Sequence, residues 1–234
     1  LCYNGTTITA VENTGTIPVI IIARAPTGGG TLLQAINLLQ KKRTEKFAGT
    51  ASTTVYQLTA TSLDADLVTI LKLKADGTFD TLVETTHFTV NRTTGAVTFG
   101  TAPGVSPIAG EDNIYITYSK TVSGYADRIN KNDVSIIYGM NGARDRVFVA
   151  GNPDLPHYDY YSELNDPTYF ADTSYSVIGQ DSSMIMNYSI VDDYLVTHKN
   201  NAENDDNTNL RKGELVSSKA VFTSQGSYQT SGSL

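Results

Sequence analysis

Between residues 146 and 199 three apolar, β-branched runs (147–150, 175–179 and 184–199) are separated by loops rich in Asn, Asp, Pro and Gly. That pattern reads as strands in succession and needs no helix. The last run is interrupted at Asp192-Asp193, between Tyr188-Ser189-Ile190-Val191 and Tyr194-Leu195-Val196, which predicts a hairpin. A further strand, 208–215, follows the polar stretch 200–207. Together these segments predict one antiparallel meander of about four strands, the size of a propeller blade.

Upstream the texture differs. Alternating apolar and polar residues at 53–59 and 67–74, an Asp76-Gly77 hairpin signal leading into 79–84, a turn over Asn91-Arg92-Thr93-Thr94-Gly95 between 88–90 and 96–99, and a closing run at 113–119 give roughly six or seven short strands about ten residues apart. This is the pattern of a small β-sandwich. Nearer the start, 6–10 alternates, and 17–25 is a Val/Ile run that reads as a strand buried on both faces. Pro26-Thr27-Gly28-Gly29-Gly30 breaks the chain. Leu32, Leu33, Ile36 and Leu39 then fall on one face of a short helix, which would end in Lys41-Lys42-Arg43 with cations at its negative end. Residues 134–138 predict a strand before a turn at Asn141-Gly142.

The composition of the 234 residues, 40% hydrophobic and 18% charged, suits a globular chain with its own core. The formal charge of −7 is uneven: residues 1–43 hold four bases against Glu12, whereas 122–234 hold fifteen acids against eight bases. An acidic body lacks the basic stripe of a nucleic-acid reader, so no tight nucleic-acid binding is expected. No apolar stretch is long enough to span a bilayer as a helix, so no membrane partner is expected. Cys2 is the only cysteine, which excludes an intramolecular disulfide and a thiolate-built metal site. No signal peptide is visible. Leu1 in place of Met, and a Ser/Gly-rich end over 226–234, lead us to expect a fragment of a longer chain with more blades.

Candidate chemistry is sparse. Gly28-Gly29-Gly30 continues as Thr31-Leu32, with no lysine until Lys41, so it lacks the Gly-Lys-Ser/Thr ending of a phosphate loop. His157, between Asp154 and Asp159, is the nearest approach to an acid–base cluster. Pro153 and Pro156 hold this segment as a loop, whose Tyr158, Tyr160 and Tyr161 are expected to pack over the strands. Asp192-Asp193 and Glu203-Asn204-Asp205-Asp206-Asn207 are oxygen-rich, but they lack the spacing of a calcium loop and read as solvated hairpin tips. Catalytic, cofactor-binding and metal residues are therefore all expected to be none, and no cofactor is implied.

Two resemblances give these readings direction. The succession RVFVAGNP, NDPTYF, YSVIGQD and DDYLVTHK resembles tailed-phage and prophage structural proteins built as β-propellers, of the head-completion or tail-stabilisation type. The pieces FTVNRTTGAVTFGTAPG and GEDNIYITYSK resemble small sandwich modules of phage tail and fibre proteins. The resemblance implies an all-β fold of propeller-like antiparallel blades with an inserted small immunoglobulin-like β-sandwich. It places N-terminal strands of the propeller-like part at 1–43, the sandwich at 44–121 and blades at 122–234. It implies a non-enzymatic virion protein whose partners are other virion structural proteins, with a homo-oligomer among the arrangements allowed. The rivals are a carbohydrate- or cell-surface-binding adhesin, with a glycan held by the sandwich, and a propeller-type glycosidase. Against the last, there is no Trp and no Ser-x-Asp-x-Gly-x-Thr-Trp repeat.

Overall fold

The computed structural model describes residues 2–3, 5–178, 183–191, 194–199, 211–212 and 228–229. The protein is all-β, built of several mainly antiparallel sheets. The helices among the described residues are single turns: α1 (Val11–Thr14), α2 (Asp127–Asn130) and a 3-10 turn at Met140–Gly142. The chain divides into two compact units. An outer unit joins Leu1–Thr16 to Ser123–Leu234, and a central unit spans Ile17–Val122.

The outer unit begins with β1 (Cys2–Tyr3) paired to β2 (Ile8–Thr9). Thr16 then ties this segment to the loop at 166–168, with its N–H donating to Thr168 Oγ1 at 3.2 Å and its hydroxyl to Asp166.

The central unit contains β3 (Val19–Arg24), β4 (Thr31–Leu32), β5 (Lys42–Phe47), β6 (Val55–Gln57), β7 (Thr69–Leu73), β8 (Phe79–Leu82), β9 (Phe88–Asn91), β10 (Ala96–Phe99) and β11 (Ile114–Ser119). Six form one sheet in the order β4-β3-β5-β11-β7-β8, and three form another in the order β6-β10-β9. Period-two alternation turns Phe47, Ile70, Ile114, Ile116 and Tyr118 of the first sheet toward Tyr56, Phe88, Val97 and Phe99 of the second, giving one shared core. The predicted hairpin at Asp76-Gly77 joins β7 to β8, with Gly77 at φ +81°. The turn at 91–95 joins β9 to β10. There Gly95 has φ +75°, and an added Cβ would lie 2.1 Å from the Ala60 carbonyl oxygen.

Two expectations fail here. Residues 17–43 do not form part of the outer unit: β3 lies parallel to β5, with Val19 opposite Thr44, so this segment completes the central unit's larger sheet. The helix over 32–39 does not form. Leu32 and Leu33 are 79% and 55% exposed. The buried Asn37 and Gln40 instead bend the chain, accepting the Leu39 and Lys42 backbone N–H groups on their side-chain oxygens at 3.1 Å each. Lys42 and Arg43 open β5, and Arg43 is buried with its guanidinium donating to the Lys120 carbonyl at 2.6 Å.

After α2, the outer unit continues with β12 (Val134–Tyr138), β13 (Arg146–Ala150), β14 (Tyr158–Tyr161) and β15 (Tyr175–Val177), an antiparallel sheet in chain order. A second sheet in chain order follows: β16 (Ile185–Val191), β17 (Tyr194–Lys199), β18 (Arg211–Lys212) and β19 (Tyr228–Gln229). The single meander expected over 146–215 is thus shared between two four-stranded sheets. β14 was expected as loop. The prolines end upstream of it, in the turn 153–157, and do not interrupt its hydrogen-bonding ladder. Tyr138, Phe148, Ala150, Ile178, Ile185, Tyr188 and Leu195 form the core between the two sheets.

Candidate functional site

The structure takes the His157 cluster apart. Asp154 is exposed and bridged to Lys131 at 2.7 Å. His157 is half-buried, with its ring 4.8 Å from that of Tyr158. Asp159 sits on β14, fully buried, where its Oδ1 accepts the hydroxyl of Tyr188 from the opposing sheet. Burial pushes the Asp159 carboxyl up to about 8, and the Tyr188 hydrogen bond offsets only part of this. Its Oδ2 is buried without a partner among the described residues. The Tyr188 hydroxyl is raised well above its ordinary value, first by burial and then by Asp159 beside it. Nearby, the buried Lys199 donates to the carbonyl of Ile178. These contacts bolt the two outer-unit sheets together and leave the groups facing protein.

Gly28, Gly29 and Gly30 all take positive φ in the connection between β3 and β4, and a strand follows them. Asp192-Asp193 and 203–207 lie outside the described residues. Among the described residues no group of three His, Cys, Asp or Glu side chains is placed to hold a metal.

One polar pair was missed in the sequence. Ser189 Oγ on β16 lies 2.8 Å from His198 Nε2 on β17, and burial lowers the His198 pKa. A nucleophile and its base share this geometry, but no described residue orients the other ring nitrogen. Both residues stand on adjacent extended strands, and the pair acts as a cross-strand hydrogen bond. Only the facing of the two strands could have revealed it.

The outer unit also carries two notable surfaces. On one face of β14 and β15, Tyr158, Tyr160 and Tyr175 form an aromatic ladder with ring centroids 5.2 to 5.9 Å apart. Tyr160 is buried and Tyr175 exposed. At the β16–β17 turn, Ile190, Val191 and Tyr194 are 51%, 50% and 56% exposed, and Val191 pairs directly with Tyr194. Tyr188 and Leu195, two and one residues further from the tip, return to the core. Alternation puts Ile190 on the face of the buried Tyr188, yet both Ile190 and Val191 are half exposed, so this end of the strand leaves apolar surface in water.

No protein family, curated protein or solved structure matches this chain.

Proposed function

We propose that this chain is a non-enzymatic structural component of a tailed-phage or prophage virion, in the head-completion or tail region, acting through assembly contacts with other virion subunits. The observation that carries this reading is the pair of four-stranded sheets at 134–177 and 185–229, each running antiparallel in chain order. Consecutive up-and-down sheets of four strands are the repeating element of propeller blades. The sandwich-like central unit, flanked in sequence by the outer unit, fits the immunoglobulin-like tail module of the resemblance. The hairpin tip offers the contact: an aromatic beside two branched aliphatics is the composition of an interface core.

Light scattering after size exclusion, over a range of protein concentrations, tests this reading. A ring or a concentration-dependent oligomer is expected, and Ile190→Asp is expected to shift it toward monomer without lowering the melting temperature. A strict monomer at high concentration, or an oligomer indifferent to Ile190→Asp and Tyr194→Asp, overturns it.

A further inference from the structure

In the central unit, Leu82 of the edge strand β8 lies close to the turn before β9 and to the end of β10. An open cleft of about 260 Å³ lies there. Its wall gathers donors from separate parts of the chain: Lys72 of β7, Thr86 and His87 of the turn before β9, and Thr101 after β10. Lys72 follows the core residue Ile70 by two positions, so it shares the inward face of β7. Its stem can cross the rim of the core while the ammonium reaches the cleft mouth. Asp80, directly opposite Lys72 on β8, is bridged to Lys74 at 3.4 Å and does not line the cleft.

His87 Nδ1 accepts the Val83 backbone N–H at 3.0 Å, which leaves the proton of the neutral ring on Nε2. The side chains of Lys72, Thr86 and Thr101 make no hydrogen bond or ion pair with another described residue. Leu82, Phe99 and Pro103 form an apolar floor, and no acidic side chain lines the cleft. One cation, an imidazole N–H, two hydroxyls and an apolar floor thus converge on a space larger than an inorganic anion needs.

We propose that this cleft binds a small acidic saccharide. Its carboxylate pairs with Lys72 and the His87 Nε2–H, its ring hydroxyls exchange hydrogen bonds with Thr86 and Thr101, and the apolar face of its ring lies on Leu82, Phe99 and Pro103. A single lysine in a cleft that no acidic side chain lines matches one negative charge, and Thr hydroxyls both donate and accept, as sugar hydroxyls do. The site is independent of the assembly reading, since it lies on the other unit and needs no oligomer.

The test is saturation-transfer NMR and calorimetry on the full chain. The ligands are glucuronic, galacturonic and N-acetylneuraminic acids, with glucose and inorganic phosphate as controls. At least one acidic sugar is expected to bind, with glucose weaker by at least about tenfold. Lys72→Gln should weaken the acidic sugar by a similar factor, Thr101→Val should weaken it several-fold, and both should melt with the parent protein. Higher salt should weaken it further, because the ion pair is open to solvent. Four results would overturn the proposal: no acidic sugar binds, glucose binds equally, phosphate is the only ligand, or both substitutions leave affinity unchanged.

Discussion

Among the described residues, each unit buries one carboxyl group against a tyrosine hydroxyl, and the two burials differ in what surrounds them. In the central unit, Glu45 on β5 is fully buried; Oε1 accepts the Tyr118 hydroxyl at 2.7 Å, and the Thr59 backbone N–H lies 3.0 and 3.2 Å from the two oxygens. In the outer unit, Asp159 has the Tyr188 hydroxyl on one oxygen, while the other is buried without a described partner. The number of donors at the site separates a carboxyl that the fold uses from one that it holds at a cost. The same residue pair therefore predicts substitutions of opposite sign.

Asp159→Asn should have the largest effect. The folded-state pKa of Asp159, about 8, lies above its ordinary value of 3.8. Between these values the folded state keeps a proton that the unfolded state releases, so stability falls as pH rises. Asn cannot ionise. The variant should gain on the parent from pH 4 to pH 8, by several kcal/mol in total, as read from urea unfolding across that range. A gap that stays flat with pH would break the contrast. Glu45→Gln should act in the other direction, destabilising by roughly 1 kcal/mol at pH 7: the amide oxygen can still take the Tyr118 hydroxyl and the Thr59 N–H in place of Oε1, but the N–H₂ that replaces Oε2 cannot accept the Thr59 N–H. A variant as stable as the parent would show that Oε2 contributes nothing. Smallest of all, Lys131→Ala removes the solvent-exposed bridges to Asp154 and Asp127, and the melting temperature should stay unchanged within error.

Turn chemistry made much of this fold legible. Asp76-Gly77 and the 91–95 turn located four strands of the central unit, and the break at Asp192-Asp193 located β16 and β17. The segment 32–43 misled because helical spacing of four apolar residues says nothing about Asn37 and Gln40, whose side chains compete for the backbone N–H groups a helix would use. The parallel pairing of β3 with β5 carries no local signature, so the boundary at Ile17 stayed hidden. Site chemistry was less legible still. His157 and Asp159 drew attention through sequence proximity, whereas Lys72, His87 and Thr101 are joined only by the packing of two sheets. The alternation along β7 did hold one clue: Lys72 occupies an inward position.

The parallel alignment of β3 and β5 also bears on how the chain folds. Val19 lies beside Thr44, which lies beside Thr117, so the beginning and end of the central unit emerge about two strand spacings, roughly 10 Å, apart. Once the sandwich has formed, the two pieces of the outer unit are joined across that short distance in place of a long loop. The entropy of closing that loop has already been met inside the central unit. Collapse of the central unit therefore lowers the entropic cost for Leu1–Thr16 to meet the residues that follow Ser123.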